Sequence, residues 1–563
     1  MIKKQITKVI GMATALLISA SCVLSANAAE ISIDKNGKGT EKNSVLIPFK
    51  GESTVLPVRA SQLPQSYSAN ALGYVTPVRN QGSTEDCWAF SGTSALETLL
   101  AKNGEIEPIA DNWFSISHMD AWGSTRRDGT GWQRDYQTGG GYPYITLGYL
   151  SSWTGAIKES IYPFQSPLSL FDVNKKYDID YSVTGMMYLD GNDKETIKKS
   201  IMNYGGVVTS FNYLAKFSKD NATNYYCPEQ QSNVSGHSIH IVGWDDNYSK
   251  DNFKVTMTKA GSIPETVEVT PNNDGAWLCK NSWGENSGNQ GYFWISYEDY
   301  YLFSVSFGPT YCINEYMQKE SFNNIYQVET YGSTYEFTYL NGTKDCTFIN
   351  VMDFEGKNEV VDKVMFESES VGAEYTIYNI PYDKANNIPD SNQANWEQIA
   401  TGTVPYSGYI CVDTKNFEAK TGKSCIGVNI NTKNTDATLG IGSTEWLANK
   451  GVSLFNTDAK RGVCYLSYGD TFEDVMDFYL DMLGDDRGGN FVIKAITTKA
   501  SEFIGDVNLD GKLDITDGVE IQKYVNHSID FGEQQLKNAD FNNDGYIDIK
   551  DVTAIQKHLA KIN

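Results

Sequence analysis

A multidomain α+β fold is predicted, with a mixed helix-and-strand region first, a β-sandwich second and a small helical module last. Three observations carry this reading. Cys87 opens an apolar segment with helical spacing, and its chemical partners lie far downstream at His237 and Asn281. Between about 320 and 500 the texture changes to short alternating runs rich in Tyr, Val, Ile and Thr, such as EYTIYNI (374 to 380) and FVIKAIT (491 to 497), broken by Gly, Asn and Asp. The last stretch then states one acidic pattern twice. A chain of 563 residues suits three or four such domains.

In chain order, Lys3 and Lys4 precede an apolar run from Val9 to Leu24 and the small-residue exit Ala26-Asn27-Ala28. These are the parts of a secretory signal, residues 1 to 28, cleaved after Ala28. Cys22 admits a lipoprotein signal as the rival, against which Ser19 stands where an aliphatic residue is wanted. The run is short for a bilayer and no other stretch of about 18 apolar residues exists, so no membrane span is expected. Residues 29 to 61 form a short polar leader.

Next comes QGSTEDCWAF (81 to 90), in which Ala89, Phe90, Ala95, Leu96, Leu99 and Leu100 give the apolar spacing of a buried helix starting near Cys87. A thiol there faces the unpaired N–H groups of a helix end, which favour the reactive thiolate. A cysteine alone is more often inert and buried. The downstream segments GHSIHIVGWDDNY (236 to 248) and GAWLCKNSWGENSGNQGYFWISYED (275 to 299) change that balance by supplying the histidine and asparagine of a cysteine-histidine-asparagine site.

These blocks, with GGGYP (139 to 143) in the same order, resemble the papain-like cysteine proteases, which implies the two-lobed fold of that family over residues 62 to 316. The resemblance implies Cys87 as nucleophile, His237 as base and then acid, and Asn281 as the group orienting the imidazole. It further implies Gln81 as an oxyanion donor, Trp283 as a cover over the His–Asn bond, and Gly140 and Gly141 as the backbone that pairs with substrate. The sequence departs from the family at Thr84 and Thr138, where many members carry a disulfide, at Gly236 before the histidine, and at Ser287.

His240 rivals His237. Side chains alternate faces along a strand, so an odd spacing allows only one of the two to face Cys87. The period leaves that choice open, and the family block, with its Val-Gly-aromatic run, selects His237 and leaves His240 structural. His118 reads as packing.

Residues 320 to 500 form the β-sandwich. The fragments NNIYQVETYGS (323 to 333), CYLSYG (464 to 469) and NFVIKAIT resemble the lectin-like domain that follows the protease in some bacterial relatives. Carbohydrate is thus the candidate ligand, and packing that buttresses the protease cleft is the structural alternative.

In the region 503 to 563, Asp506, Asn508, Asp510, Lys512, Asp514 and Asp517 recur as Asp540, Asn542, Asp544, Tyr546, Asp548 and Asp551. Oxygen ligands at positions 1, 3, 5, 9 and 12, a backbone carbonyl at 7 and glycine at 6 (Gly511, Gly545) form an EF-hand calcium loop, with aspartate replacing the usual glutamate at 12. Each loop runs into a short helix, which predicts two calcium ions in a duplicated loop-helix unit. This unit resembles a dockerin, which implies attachment to a cohesin on a scaffolding protein of the cellulosome type. The recognition positions hold Ile515 and Thr516 in one copy, Ile549 and Lys550 in the other.

The net charge of −24 disfavours nucleic acid and anionic membranes as partners. Besides Cys87, the mature chain has Cys227, Cys279, Cys312, Cys346, Cys411, Cys425 and Cys464, an odd set without metal-ligand spacing that reads as reduced, buried thiols. Two functions are open: a secreted endopeptidase acting on protein or peptide substrates and tethered to an extracellular, cell-surface scaffold, or a catalytically silent papain-like binding or inhibitory module on the same scaffold.

Overall fold

In the computed structural model the described residues are 63–561, apart from short stretches at 126–128, 173–174, 176–178, 233, 260–264, 304–307, 341, 357–358, 420, 446, 450–451, 485–487, 500–502. The expected signal and leader lie outside them. The papain-like region has two lobes. The helical lobe is built on Cys87–Lys102, Ile116–Trp122 and Pro143–Leu150. Its central helix begins at Cys87 as the apolar spacing predicts, and ends at Asn103, whose N–H returns to Leu99 O.

The second lobe is a sheet whose middle strands run Thr310–Gln318, Val207–Tyr213, Ser235–Asp245, Ala276–Lys280 and Tyr292–Ser296. Its core gathers Phe211, Ile239, Ile241, Trp244, Trp277 and Ile295. The histidine strand Ser235–Asp245 pairs with Val207–Tyr213 on one side, placing His237 opposite Phe211, and with Ala276–Lys280 on the other. The asparagine follows directly on that second neighbour.

The β-domain is a sandwich, as the alternating runs predict. One layer orders its strands Glu397–Thr403, Glu374–Ile380, Gly422–Asn431, Asp345–Phe354, Cys464–Tyr468, Thr471–Asp474. The other runs Asn324–Gln327, Ile493–Lys499, Glu359–Ser368, Gly408–Glu418. Phe348, Ile426 and Val428 from the first layer pack on Val364, Phe366, Ile410 and Ile493 from the second.

The second layer does not stop at the domain edge. Gly408 and Tyr409 pair with Met187 and Met186 of the papain-like strand Tyr181–Leu189, so one 13-stranded sheet runs through both domains. The helical lobe's core is shared too: Trp88, Trp122 and Leu147 belong to the same buried cluster as Tyr331, Met365, Tyr409 and Phe455 of the β-domain. Helix Pro143–Leu150 comes so close to the β-domain that a Cβ on Gly148 would lie 2.1 Å from Tyr331 O.

The C-terminal module has helices at Ile515–Val525, Glu533–Ala539 and Ile549–Leu559. Its core is small, comprising Val507, Ile521, Phe531, Ala539, Val552 and Ile555. No helix of the described residues is long and apolar enough to cross a membrane.

Candidate active site

Cys87 is fully buried at the first turn of its helix, where the leading N–H groups have no intrahelical acceptor. The backbone N–H of Ser238, next to His237, points at Cys87 Sγ from 3.5 Å. His237 presents Nε2 to Asn281 Oδ1 at 2.9 Å, which leaves Nδ1 as its other nitrogen for exchange with a second group. Trp283 stacks on the imidazole, with centroids 4.6 Å apart and planes at 22°. Asn281 Oδ1 also accepts from Ser282 N, which fixes the amide orientation.

Asn281 is held through its neighbour. Lys280 is buried, donates to Thr76 Oγ1 at 3.0 Å, and has its pKa lowered to about 8 by burial first. Thr76 donates to Glu97 of the helix that begins at Cys87, and Glu97 pairs with Arg79 at 3.0 Å. The strand that ends at Lys280, just before Asn281, and the helix bearing Cys87 are therefore joined by one polar chain.

Gln81 is buried with its amide held at both ends. Oε1 accepts from Ser282 Oγ at 2.5 Å, and Nε2 donates to Thr84 O at 2.7 Å. Thr84 thus contributes its backbone carbonyl to fixing the Gln81 amide. Gly140 adopts φ +65°, and a Cβ on Gly141 would meet Trp88 Nε1 at 2.2 Å. Close approach to Trp88 therefore requires glycine at 141 even before a substrate is considered.

The two rival histidines part as strand alternation requires. His237 turns its ring to Asn281 and Trp283, whereas His240 bonds Ser94 Oγ of the helix Cys87–Lys102 through Nδ1 at 3.0 Å. Burial, then Lys280, lowers its pKa to about 3, so it is a neutral packing group. His118 bonds Tyr149 OH at 2.8 Å and sits among Tyr149, Tyr162 and Phe171, and burial lowers its pKa likewise to about 3.

One cluster beside Cys87 has no counterpart in the sequence reading. Asp86 is buried, and burial followed by nearby Asp120 pushes its carboxyl well above the ordinary range against the pull of Arg134. Arg134 pairs with Asp120 at 2.6 Å and lies over Trp88 at 5.2 Å. A charged residue directly before the cysteine was the available signal. Among the described residues no disulfide joins any of the eight cysteines.

The two C-terminal loops share one hydrogen-bond plan. Asp506 accepts from Asp510 N and Gly511 N, and Asp540 accepts in the same way from Asp544 N and Gly545 N. Asp517 accepts from Asn508 N and Asp514 N, as Asp551 does from Asn542 N and Asp548 N. Among the described residues no three acidic, His or Cys side chains converge as a ready metal cluster. The donor set nonetheless fits calcium, because each loop folds hard oxygen donors around a glycine at positive φ, +79° at Gly511 and +85° at Gly545.

Residues 63–304 match the papain family cysteine proteases, 325–497 a lectin-like domain and 504–560 a dockerin type I domain, a calcium-binding type of module. Cathepsin K of Mus musculus is 24% identical over 247 residues, 43% of this chain and 63% of that protein. Cathepsin 7 of the same species is 25% identical over 240 residues, 42% and 61% respectively. The chain thus spans a little under two thirds of these curated relatives. The solved cysteine protease and lectin-like domains of Cwp84, a surface layer associated protein of Clostridium difficile, are 31% identical with a TM-score of 0.66, covering 85% of this chain and 99% of that one. Clostridial Cwp84 after propeptide cleavage gives 32% identity and a TM-score of 0.65, covering 77% and 99%. With that likeness spanning almost the whole of the Cwp84 chains, the protein belongs to the papain family of cysteine proteases, in a form that carries a lectin-like domain and a dockerin.

Proposed function

We propose that the protein is a secreted cysteine endopeptidase working through Cys87, His237 and Asn281, and that its dockerin binds two calcium ions and tethers it to a cohesin-bearing scaffold at the cell surface. The observation that carries the catalytic reading is the convergence, from separate elements, of His237 on Asn281 at 2.9 Å with the adjoining Ser238 N–H on Cys87 Sγ.

In this reading His237 Nδ1 takes the proton of Cys87, and Sγ attacks the scissile carbonyl carbon. The resulting oxyanion meets the Cys87 N–H and the Gln81 amide, which Ser282 and Thr84 hold in place. Collapse expels the amine, which takes the proton from His237, and leaves a thioester. Water, deprotonated by His237, hydrolyses that ester and restores the thiol. Trp283 excludes water from the His–Asn bond, and Gly140 and Gly141 pair with the substrate backbone.

For the tether, Asp506, Asn508, Asp510, Asp514 and Asp517 with the Lys512 carbonyl would hold one ion. Asp540, Asn542, Asp544, Asp548 and Asp551 with the Tyr546 carbonyl would hold the other. Bound calcium offsets carboxylate repulsion that otherwise opposes loop closure.

The test is direct. Cys87→Ala abolishes peptide cleavage without shifting the melting temperature, and a thiol-directed epoxide labels wild type at Cys87. His237→Ala lowers turnover by about 10⁴-fold or more, whereas His240→Ala acts mainly on stability. Labelling of another cysteine with no peptide cleaved turns the reading to a silent module.

A further inference from the structure

Besides the shared sheet and core, the β-domain reaches the papain-like domain through a hairpin made of Leu447–Asn449 and Val452–Asn456. Its second strand pairs with Gly131–Trp132, placing Asn456 opposite Gly131 and Phe455 opposite Trp132. Gln133 N donates to Leu454 O at 2.8 Å, and Asn456 Nδ2 donates to Gly129 O at 2.8 Å. The loop that leads into Gly139–Tyr142 is therefore an added strand of the β-domain.

Its side chains continue the link. The Trp132 ring lies 5.3 Å from Phe455 and 6.0 Å from Tyr142. Phe455 also meets Tyr331 at 5.1 Å, and Tyr331 meets Trp122 at 5.8 Å. Trp132, Phe455 and Tyr331 are all buried, so these rings have no slack to absorb a missing neighbour. On the far side Arg134 lies over Trp88 and pairs with Asp120, whose other oxygen accepts from Gln137 N at 2.7 Å. Gly140 and Gly141 thus sit on a segment clamped between the hairpin and the nucleophile helix. Cys87, His237 and Asn281 lie on elements that the hairpin does not pair with.

We propose that this hairpin belongs to the substrate-binding apparatus: Phe455 is a positioning residue that, through Trp132 and Tyr142, sets the Gly139–Tyr142 segment against the residues on the N-terminal side of the scissile bond. The inference rests on the peptidase reading and on substrate pairing at Gly140 and Gly141. A displacement of about 1 Å in such a segment weakens alignment by up to about 10²-fold. A substrate with nothing beyond the residue at the scissile bond does not use the segment and is spared.

The experiment uses the full chain with calcium, as wild type, Phe455→Ala, Phe455→Leu and Asn456→Ala. Two probes are compared, a blocked single-residue p-nitrophenyl ester and a blocked fluorogenic hexapeptide. For Phe455→Ala the expected result is a 10- to 100-fold fall in kcat/KM on the hexapeptide, roughly as above and carried by KM, with the ester within about twofold of wild type. Phe455→Leu recovers most of the loss, and library profiling shows relaxed choice at the second and third positions before the cut. Should Phe455→Ala fail to fold, Asn456→Ala, which removes the hydrogen bond to Gly129 O and the one accepted from Ser453 Oγ, must show a smaller change in the same direction. Equal losses on both probes, losses confined to kcat, or no loss on either would overturn the proposal. An inactive wild type would overturn the peptidase reading, and this inference with it, so the two failures are told apart.

Discussion

The β-domain and the dockerin are attached to this chain in opposite ways. Toward the papain-like domain the β-domain shares a sheet and an apolar core, and one of its own buried ion pairs reaches across: Lys494, which meets Glu329 of the same domain at 2.8 Å with both side chains fully buried, also donates to Ser151 O at the end of helix Pro143–Leu150. The dockerin meets the β-domain where Leu509 packs on Val360 and Gly532 abuts Glu418. Its own six-residue core is small. A shared core makes two sequence domains cooperate as one folding unit, whereas a small core leaves folding dependent on a bound ion. The difference separates a catalytic body fused to its β-domain from a calcium-binding type of module with a small core of its own.

The largest expected effect tests the adaptor. Chelation removes the ions that offset the carboxylates of Asp506–Asp517 and Asp540–Asp551, so the dockerin helices unfold and cohesin capture is lost. Hydrolysis of a small peptide continues within about twofold, since the two calcium-type loops lie at 506–517 and 540–551, outside the papain-like residues 63–304. Titration calorimetry should give two ions per chain, and one after either Asp506→Ala or Asp540→Ala. Loss of peptide hydrolysis together with cohesin capture would erase the distinction.

The next effect tests the body. Lys494→Met leaves the Glu329 carboxylate buried without its cation and is expected to cost about 3–5 kcal/mol. Glu329 keeps only the N–H groups of Tyr331 and Gly332 as compensation. Papain-like and β-domain signals should fall together in one earlier melting transition, with calcium binding unchanged. Adding Glu329→Gln to Lys494→Met should recover part of the loss. Two separated transitions would mean that the shared sheet does not couple the domains.

Which parts of this were legible in the sequence follows from what local pattern encodes. Cys87 at a helix start and the opposite facing of His237 and His240 are set by periodicities of 3.6 and 2, and both can be counted along the chain. The twin loops are legible because a coordination geometry fixes which positions carry oxygen. The fusion of the two domains left no such trace. Pairing of Gly408–Tyr409 with Met186–Met187 uses backbone groups alone, and any residue supplies those. Trp132, Tyr331 and Phe455 each read as one more buried aromatic, and only the fold brings them together. Ser282 and Arg134 were passed over for the same reason, since their partners Gln81 and Asp120 are remote from the pattern that surrounds them.

The smallest effect is one of pH, and it sharpens the picture of a sealed catalytic body. Burial lowers the pKa of His240 from 6.5 to about 3, so the folded chain keeps this ring neutral while the unfolded chain protonates it. Between those values the unfolded state binds the extra proton. The stability contributed is fully present above pH 6.5 and is lost as pH falls toward 3, at up to about 1.4 kcal/mol per unit. Asp299 works in the opposite sense. Burial raises its pKa from 3.8 to about 7, so the folded chain holds a proton that the unfolded chain has shed, and stability falls as pH rises through that window. The wild-type profile therefore mixes opposed slopes, and a variant must isolate one of them. In His240→Gln the histidine's share disappears, so its urea midpoint should gain on wild type as pH falls from 6.5 to 4.5. A difference between the two proteins that stays flat over that range would show that His240 takes up a proton in the folded chain, and that the body is not sealed around it.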